Sequence, residues 1–120
     1  MSQKYNNINI LVVENDYVSY FLIKEMLKPY NFNLCHTLNE QETRNILNSK
    51  NRYDLIIIDI KYNDYILYRD IKIQYPNVPI FIQTALEKDE SIFDVYDDFI
   101  RKPYQIDVFV AKTLKFFSKN

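Results

Sequence analysis

The chain has 120 residues, 48% of them hydrophobic and 16% aromatic, enough for one domain with a real core. Its 15 Lys and Arg nearly cancel its 16 Asp and Glu, so no basic field recruits nucleic acid. No apolar run reaches the roughly 20 residues that span a bilayer, and the start, MSQKYNNIN, lacks the apolar core of a signal peptide, so a cytoplasmic protein without membrane association is expected. In chain order, INILVV at 8–13 predicts an apolar strand. Tyr17–Lys28 follows as a helix whose apolar face is marked by Val18, Phe21, Leu22 and Met26, with Pro29 closing it. FNLCHT at 32–37 predicts a short strand, and Asn39 with Glu42 three residues on gives a capping-box-like start to a helix ending near Asn48. DLIIID at 54–59 is the third strand, Tyr65–Tyr75 a helix and PIFIQ at 79–83 the fourth strand. A short helix is expected at about Asp89–Val95 and a brief fifth strand, DFIRK, at 98–102. After Pro103, the residues Ile106, Phe109, Val110, Thr113, Leu114 and Phe117 keep helical spacing to the end. Nothing leaves room for a second domain, so residues 1–120 are expected to form one.

Glycine is absent, so another residue must serve where the backbone needs positive φ. Asparagine tolerates that region best, and Asn31, Asn51, Asn63 and Asn77 all fall between periodic segments. Cys35 is the single cysteine, which excludes an intrachain disulfide and suits a small core residue in a reducing compartment.

Five strands alternating with five helices imply right-handed crossovers and a doubly wound α/β domain, a parallel sheet covered on both faces. Ligands of such sheets bind beyond the carboxyl ends of the strands. There the sequence places Glu14, Asn15 and Asp16 after the first strand, Asp59 after the third, Thr84 after the fourth and Lys102 after the fifth. An apolar run ending on a carboxylate, LIIID, is itself unusual, because a buried charge needs a partner or a purpose. Carboxylates, a hydroxyl and an ammonium around one crevice suit Mg²⁺ and a phosphoryl group.

ILVVEND at 10–16, IIIDI at 56–60, QTA at 83–85 and DDFIRKPY at 97–104, in that order and spacing, resemble the receiver domains of two-component response regulators. The early helix YVSYFLIKEML also resembles receivers attached to hybrid sensor histidine kinases. The resemblance implies a flavodoxin-like sheet of strand order 2-1-3-4-5 and a signalling switch rather than an enzyme. It makes Asp59 the phosphoacceptor, fed by a histidine kinase or a histidine-phosphotransfer protein. Glu14, Asn15, Asp59 and the backbone carbonyl of Lys61 would hold Mg²⁺, while Thr84 and Lys102 would contact the phosphoryl group and Phe99 would be the switch aromatic. An unphosphorylated monomer is expected.

Three departures from the family pattern stand out. Asn15 occupies a position where the family places a carboxylate, so weak Mg²⁺ binding is expected. The loop after Asp59 is shortened, and so is the segment between Thr84 and Lys102. Asp16 is either an extra acidic group of the site or the N-cap of the first helix. Lys102 with Pro103 also fits a strand end followed by a helix with Pro at its first position. His36 reads as a structural or edge residue rather than a ligand. The departures keep a second reading open, a pseudoreceiver that serves as a phosphorylation-independent interaction module. A flavodoxin-like small-molecule binder is disfavoured by the lack of Gly- or Ser-rich phosphate loops.

Overall fold

A computed structural model describes residues 5–59, 65–85 and 97–118. The elements follow as β1 (Asn9–Val13), α1 (Tyr17–Leu27), a 3₁₀ turn (Lys28–Tyr30), β2 (Asn33–Thr37), α2 (Glu40–Leu47), β3 (Leu55–Asp59), α3 (Tyr65–Gln74), β4 (Ile80–Thr84), β5 (Asp98–Arg101) and α4 (Ile106–Lys115). The strands form one parallel sheet in the order β2-β1-β3-β4-β5, as the resemblance implied. The helix expected at Asp89–Val95 lies outside the described residues.

Because side chains alternate along a strand, each central strand feeds two cores. Leu11, Val13, Ile56, Ile58, Ile80 and Ile82 pack against Leu47 of α2 and Leu67 and Ile71 of α3. On the other face Ile10, Val12, Ile57, Phe81 and Ile100 pack against Ile23 and Leu27 of α1 and Phe109 of α4. All five residues of β3, and all five of β4, are buried.

The apolar face expected for α1 is corrected. Val18, Phe21 and Leu22 are exposed, Met26 of that face packs partly buried against the core, and the helix buries Ile23 and Leu27. Nearly every position from Tyr17 to Ile23 is apolar or aromatic, so the pattern cannot choose a face; contact with the sheet does. Pro29 sits inside the 3₁₀ turn that ends α1. Pro103, in contrast, is not at a helix start: α4 begins at Ile106 with Gln105 as N-cap, and the Lys102–Pro103 peptide is cis. The N-cap of α2 is Asn39, whose side chain accepts from the Glu42 amide at 2.8 Å, while the Glu42 carboxylate reaches back to the Leu38 amide at 2.6 Å.

Asn31 takes a left-handed conformation, φ 62°, as expected of a glycine-free turn. Lys50 does so too, at φ 63°, next to the asparagine expected there. A side chain with a Cβ pays about 1–2 kcal/mol in that region, partly offset by the unfolded-state entropy of glycine. Lys50→Gly is therefore expected to stabilise the protein by up to about 1 kcal/mol. A denaturant midpoint that stays put or falls would contradict this.

Candidate functional site

Strand alternation delivers the site. Glu14 continues the face of Val12, Asp59 that of Ile57 and Lys102 that of Ile100, so these three polar groups leave the carboxyl edge of the sheet together, on the side covered by α1 and α4. Lys102 Nζ lies 2.7 Å from Asp59 Oδ2 and 3.5 Å from Glu14 Oε1. The Asp59 charge also acts on the Glu14 carboxyl. Both side chains are all but inaccessible, whereas that of Lys102 keeps 23% exposure.

A buried carboxyl beside another negative charge resists ionisation. Burial, reinforced by the Asp59 charge, pushes the Glu14 carboxyl up to about 7, against the opposing pull of the Asp16 amide and the Lys102 ammonium. Burial pulls Lys102 down, but its hydrogen bond to Asp59 and the charges of Asp59 and Glu14 outweigh that and hold it above its usual range.

The main chain around Glu14 is fixed by β2. The Glu14 amide donates to Thr37 O at 3.1 Å, and His36 Nε2 donates to Glu14 O at 2.7 Å. The His36 ring stacks on Tyr20, centroids 3.9 Å apart and planes within 8°. Asp16 caps α1: its Oδ1 accepts from the Val18 amide at 3.1 Å and its Oδ2 from the Ser19 hydroxyl at 3.0 Å, in an exposed position. Among the described residues no group of three His, Cys, Asp or Glu is placed to hold a metal, so Asp16 does not join Glu14 and Asp59.

Asn15 does reach the site's surroundings. It lines a cavity of about 180 Å³ together with Glu14 and Asp59. Two carboxylates and an amide carbonyl are hard oxygen donors, and a pair of neighbouring acids calls for positive charge, so these residues fit Mg²⁺ with less negative charge than three carboxylates would supply. Lys61 lies outside the described residues. Thr84 is buried at the end of β4, its carbonyl accepting from the Lys102 amide at 2.8 Å. Its side chain continues the face of Ile82, as does that of Phe99, which is paired in register with Ile82 and packs on the α2/α3 core. The guanidinium of Arg101 lies 5.9 Å from the Phe99 ring centre.

The sequence reading missed Gln83 and Tyr104. Gln83 is fully buried between Glu14, at 3.4 Å from Oε1, and the Tyr104 hydroxyl, at 3.0 Å. The signal available was an amide ending an otherwise apolar strand, IFIQ, beside the strand that ends in Asp59.

The sequence pattern of the family described as response regulator receiver domain matches residues 10–114. The chain belongs to that family. Receiver domains are phosphoacceptor signalling switches rather than ordinary enzymes, and this one carries the receiver strand order. It is 32% identical over 110 residues to the sensory transduction protein BceR of Halalkalibacterium halodurans, a match over 86% of this chain and 47% of that protein. The chain thus spans about half the length of that curated relative. In fold it is similar to a two-component response regulator from Clostridium difficile, with a TM-score of 0.79 at 24% identity over 92% of this chain and 95% of that one. It is equally similar to the response regulator TrrA from Thermotoga maritima, crystallised in complex with Mg²⁺-BeF, with a TM-score of 0.79 at 23% identity over 91% of this chain and 98% of that one. Among the described residues of this receiver no helix is long and apolar enough to cross a membrane.

Proposed function

We propose that this receiver accepts a phosphoryl group on Asp59 from a phosphohistidine of a histidine kinase or histidine-phosphotransfer protein. The observation that carries this reading is the ammonium of Lys102 lying between the carboxylates of Asp59 and Glu14 at the carboxyl edge of the sheet. An Asp59 carboxylate oxygen attacks phosphorus, an O–P bond forms, and the N–P bond breaks with its electron pair returning to the imidazole. The product is an acyl phosphate. Lys102, hydrogen-bonded to Asp59 before transfer, would turn to a phosphoryl oxygen afterwards. Thr84, at the end of the neighbouring strand, is the hydroxyl that would donate to another. Glu14, Asn15 and Asp59 are the described residues that would hold Mg²⁺, which when bound supplies positive charge against the phosphoryl oxygens.

Signalling follows as a population shift. A phosphoryl group favours one of two packings only by the difference in contacts it makes in each, here through Thr84 and, on the same sheet face, Phe99. The docking face then changes, and output passes to a protein partner. The unphosphorylated protein is a monomer on this reading; a stable dimer in light scattering of untreated protein would contradict it.

The test is intact-mass measurement after incubation with a small phosphodonor and Mg²⁺. One hydroxylamine-labile phosphoryl adduct in the wild type, and none in Asp59→Asn, is the expected result. Absence of any adduct at saturating Mg²⁺ would instead favour the pseudoreceiver, a reading that Asn15 supports by withholding one carboxylate.

A further inference from the structure

Gln83 is the least expected group in the core. It has no solvent exposure, and it sits on β4 in register with Asp59. A buried amide is costly unless its polar atoms find partners. Here its Nε2 donates to Glu14 Oε1 at 3.4 Å, and its Oε1 accepts from the Tyr104 hydroxyl at 3.0 Å. The Glu14 carboxylate, an acceptor only, requires the NH₂ end of the amide, and the phenol, donating to the carbonyl end, holds the amide in that orientation. Turned over, the amide would set its carbonyl oxygen against a carboxylate and its NH₂ against the phenol. Burial, with the nearby charges of Glu14 and Asp59, pushes the Tyr104 phenol up to about 12, so it remains a donor throughout the neutral range.

The Glu14 carboxylate is thereby pinned from three elements. Its Oε2 accepts from the Asp16 amide at 3.0 Å, at the start of α1. Its Oε1 receives Gln83 from β4 and Lys102 from the end of β5. Of these, only Lys102 is shared with Asp59 and must be free to follow the phosphoryl group. The Asp16 amide on Oε2 and Gln83 on Oε1 are the contacts that can hold Glu14 in place while Lys102 moves, and Gln83 is the one that keeps the oxygen Lys102 leaves.

We propose that Gln83, oriented by the Tyr104 hydroxyl, is a positioning residue for the phosphoacceptor site, fixing the Glu14 carboxylate beside Asp59 as Lys102 changes partner. This rests on the reading of Asp59 as phosphoacceptor. The connection runs on the α1/α4 face of the sheet, whereas Thr84 and Phe99 face α2 and α3. Tyr104 also stacks on Phe109, centroids 5.1 Å apart, and lines a cavity of about 460 Å³ with Leu22, Met26 and Ile106. The Tyr104 ring is thus linked to the Glu14 carboxyl through one amide.

The variants are Gln83→Met, which keeps volume and removes both polar atoms, and Tyr104→Phe, which keeps the ring stack and removes only the hydroxyl. The ¹⁵N resonance of the Asp16 amide, bonded to Glu14, is followed first without metal and then through a titration with Mg²⁺ alone. Gln83→Met is expected to move the metal-free Asp16 resonance and to raise the half-saturating Mg²⁺ concentration about tenfold or more, the usual effect of losing a group that orients a metal ligand. Tyr104→Phe should act in the same direction by about fivefold or less, and the double variant should be no worse than Gln83→Met, since the phenol acts through the amide. A merely structural role would lower the unfolding midpoint and leave both readouts unchanged in the folded protein. An unmoved Asp16 resonance in Tyr104→Phe, which retains the packing even where Gln83→Met does not fold, would overturn the proposal. Phosphorylation by a small phosphodonor is assayed separately: shifted resonances in a protein that takes no phosphoryl group would sink the phosphoacceptor reading and leave the positioning role standing.

Discussion

Lys102→Met is expected to destabilise the metal-free protein by about 2 kcal/mol near pH 8, and Mg²⁺ is expected to restore much of the loss. Removing one partner from a buried ion pair typically costs about 3–5 kcal/mol; the value is lower here because Lys102 is partly exposed and Glu14 can take up a proton. The pH dependence has a definite sign. Glu14 rises from 4.5 to about 7 on folding, so between those values the folded chain binds more protons than the unfolded one. Stability is therefore greatest below about 4.5 as far as this group is concerned, and it falls as pH rises through about 7. Without Lys102, which holds the Glu14 carboxyl down, the fall should extend to higher pH. A divalent cation that binds only the folded site recovers stability by mass action, and the ammonium no longer competes for the same oxygens. Denaturant midpoints at pH 5 and pH 8, in chelator and in Mg²⁺, check all of this. A variant as stable as wild type at pH 8 in chelator would show that the short contact to Asp59 contributes little.

Asn15→Asp is expected to tighten Mg²⁺ binding by about tenfold to a hundredfold, because a third carboxylate adds a full negative charge within a few Å of the cation even at an effective dielectric of about 20. The same change should lower metal-free stability, since it adds a like charge near Glu14 and Asp59. Asp16→Asn is the control for register. Its carboxylate is engaged by the Val18 amide and the Ser19 hydroxyl at the start of α1, and Asn caps nearly as well as Asp, so the cost should stay well under about 1 kcal/mol with Mg²⁺ affinity unchanged. Titration of backbone amide shifts with Mg²⁺ in the three proteins separates the two positions. Tightening absent in Asn15→Asp, with weakened binding in Asp16→Asn, would place the acidic cluster one residue out of register.

Much of this architecture is written locally. The apolar runs ILVV, LIIID and IFIQT are too continuous for half-exposed strands, and their alternation with helical periods requires a parallel sheet covered on both faces. Parallel strands all end at the same edge, so Glu14, Asp59 and Lys102, each just past or at a strand's carboxyl end, meet there, which is why residues 45 and 43 positions apart could be grouped from the sequence. Helix caps such as Asn39 are equally local, because the group that satisfies the amide lies within three residues of it.

Other features depended on packing at long range. The face α1 buries was misread because its sequence is apolar nearly all round, and only the sheet selects Ile23 and Leu27. The sequence left Asp16 between cap and ligand; the direction of its side chain as the chain enters α1 decided that. Gln83 gave a weak signal and Tyr104 none, since a buried amide acquires a role only when a carboxylate from β1 and a phenol from beyond β5 arrive at its two ends. Hydrophobic periodicity records which face of an element meets the core; it carries no information about which polar group, brought from another strand, will satisfy a buried hydrogen bond.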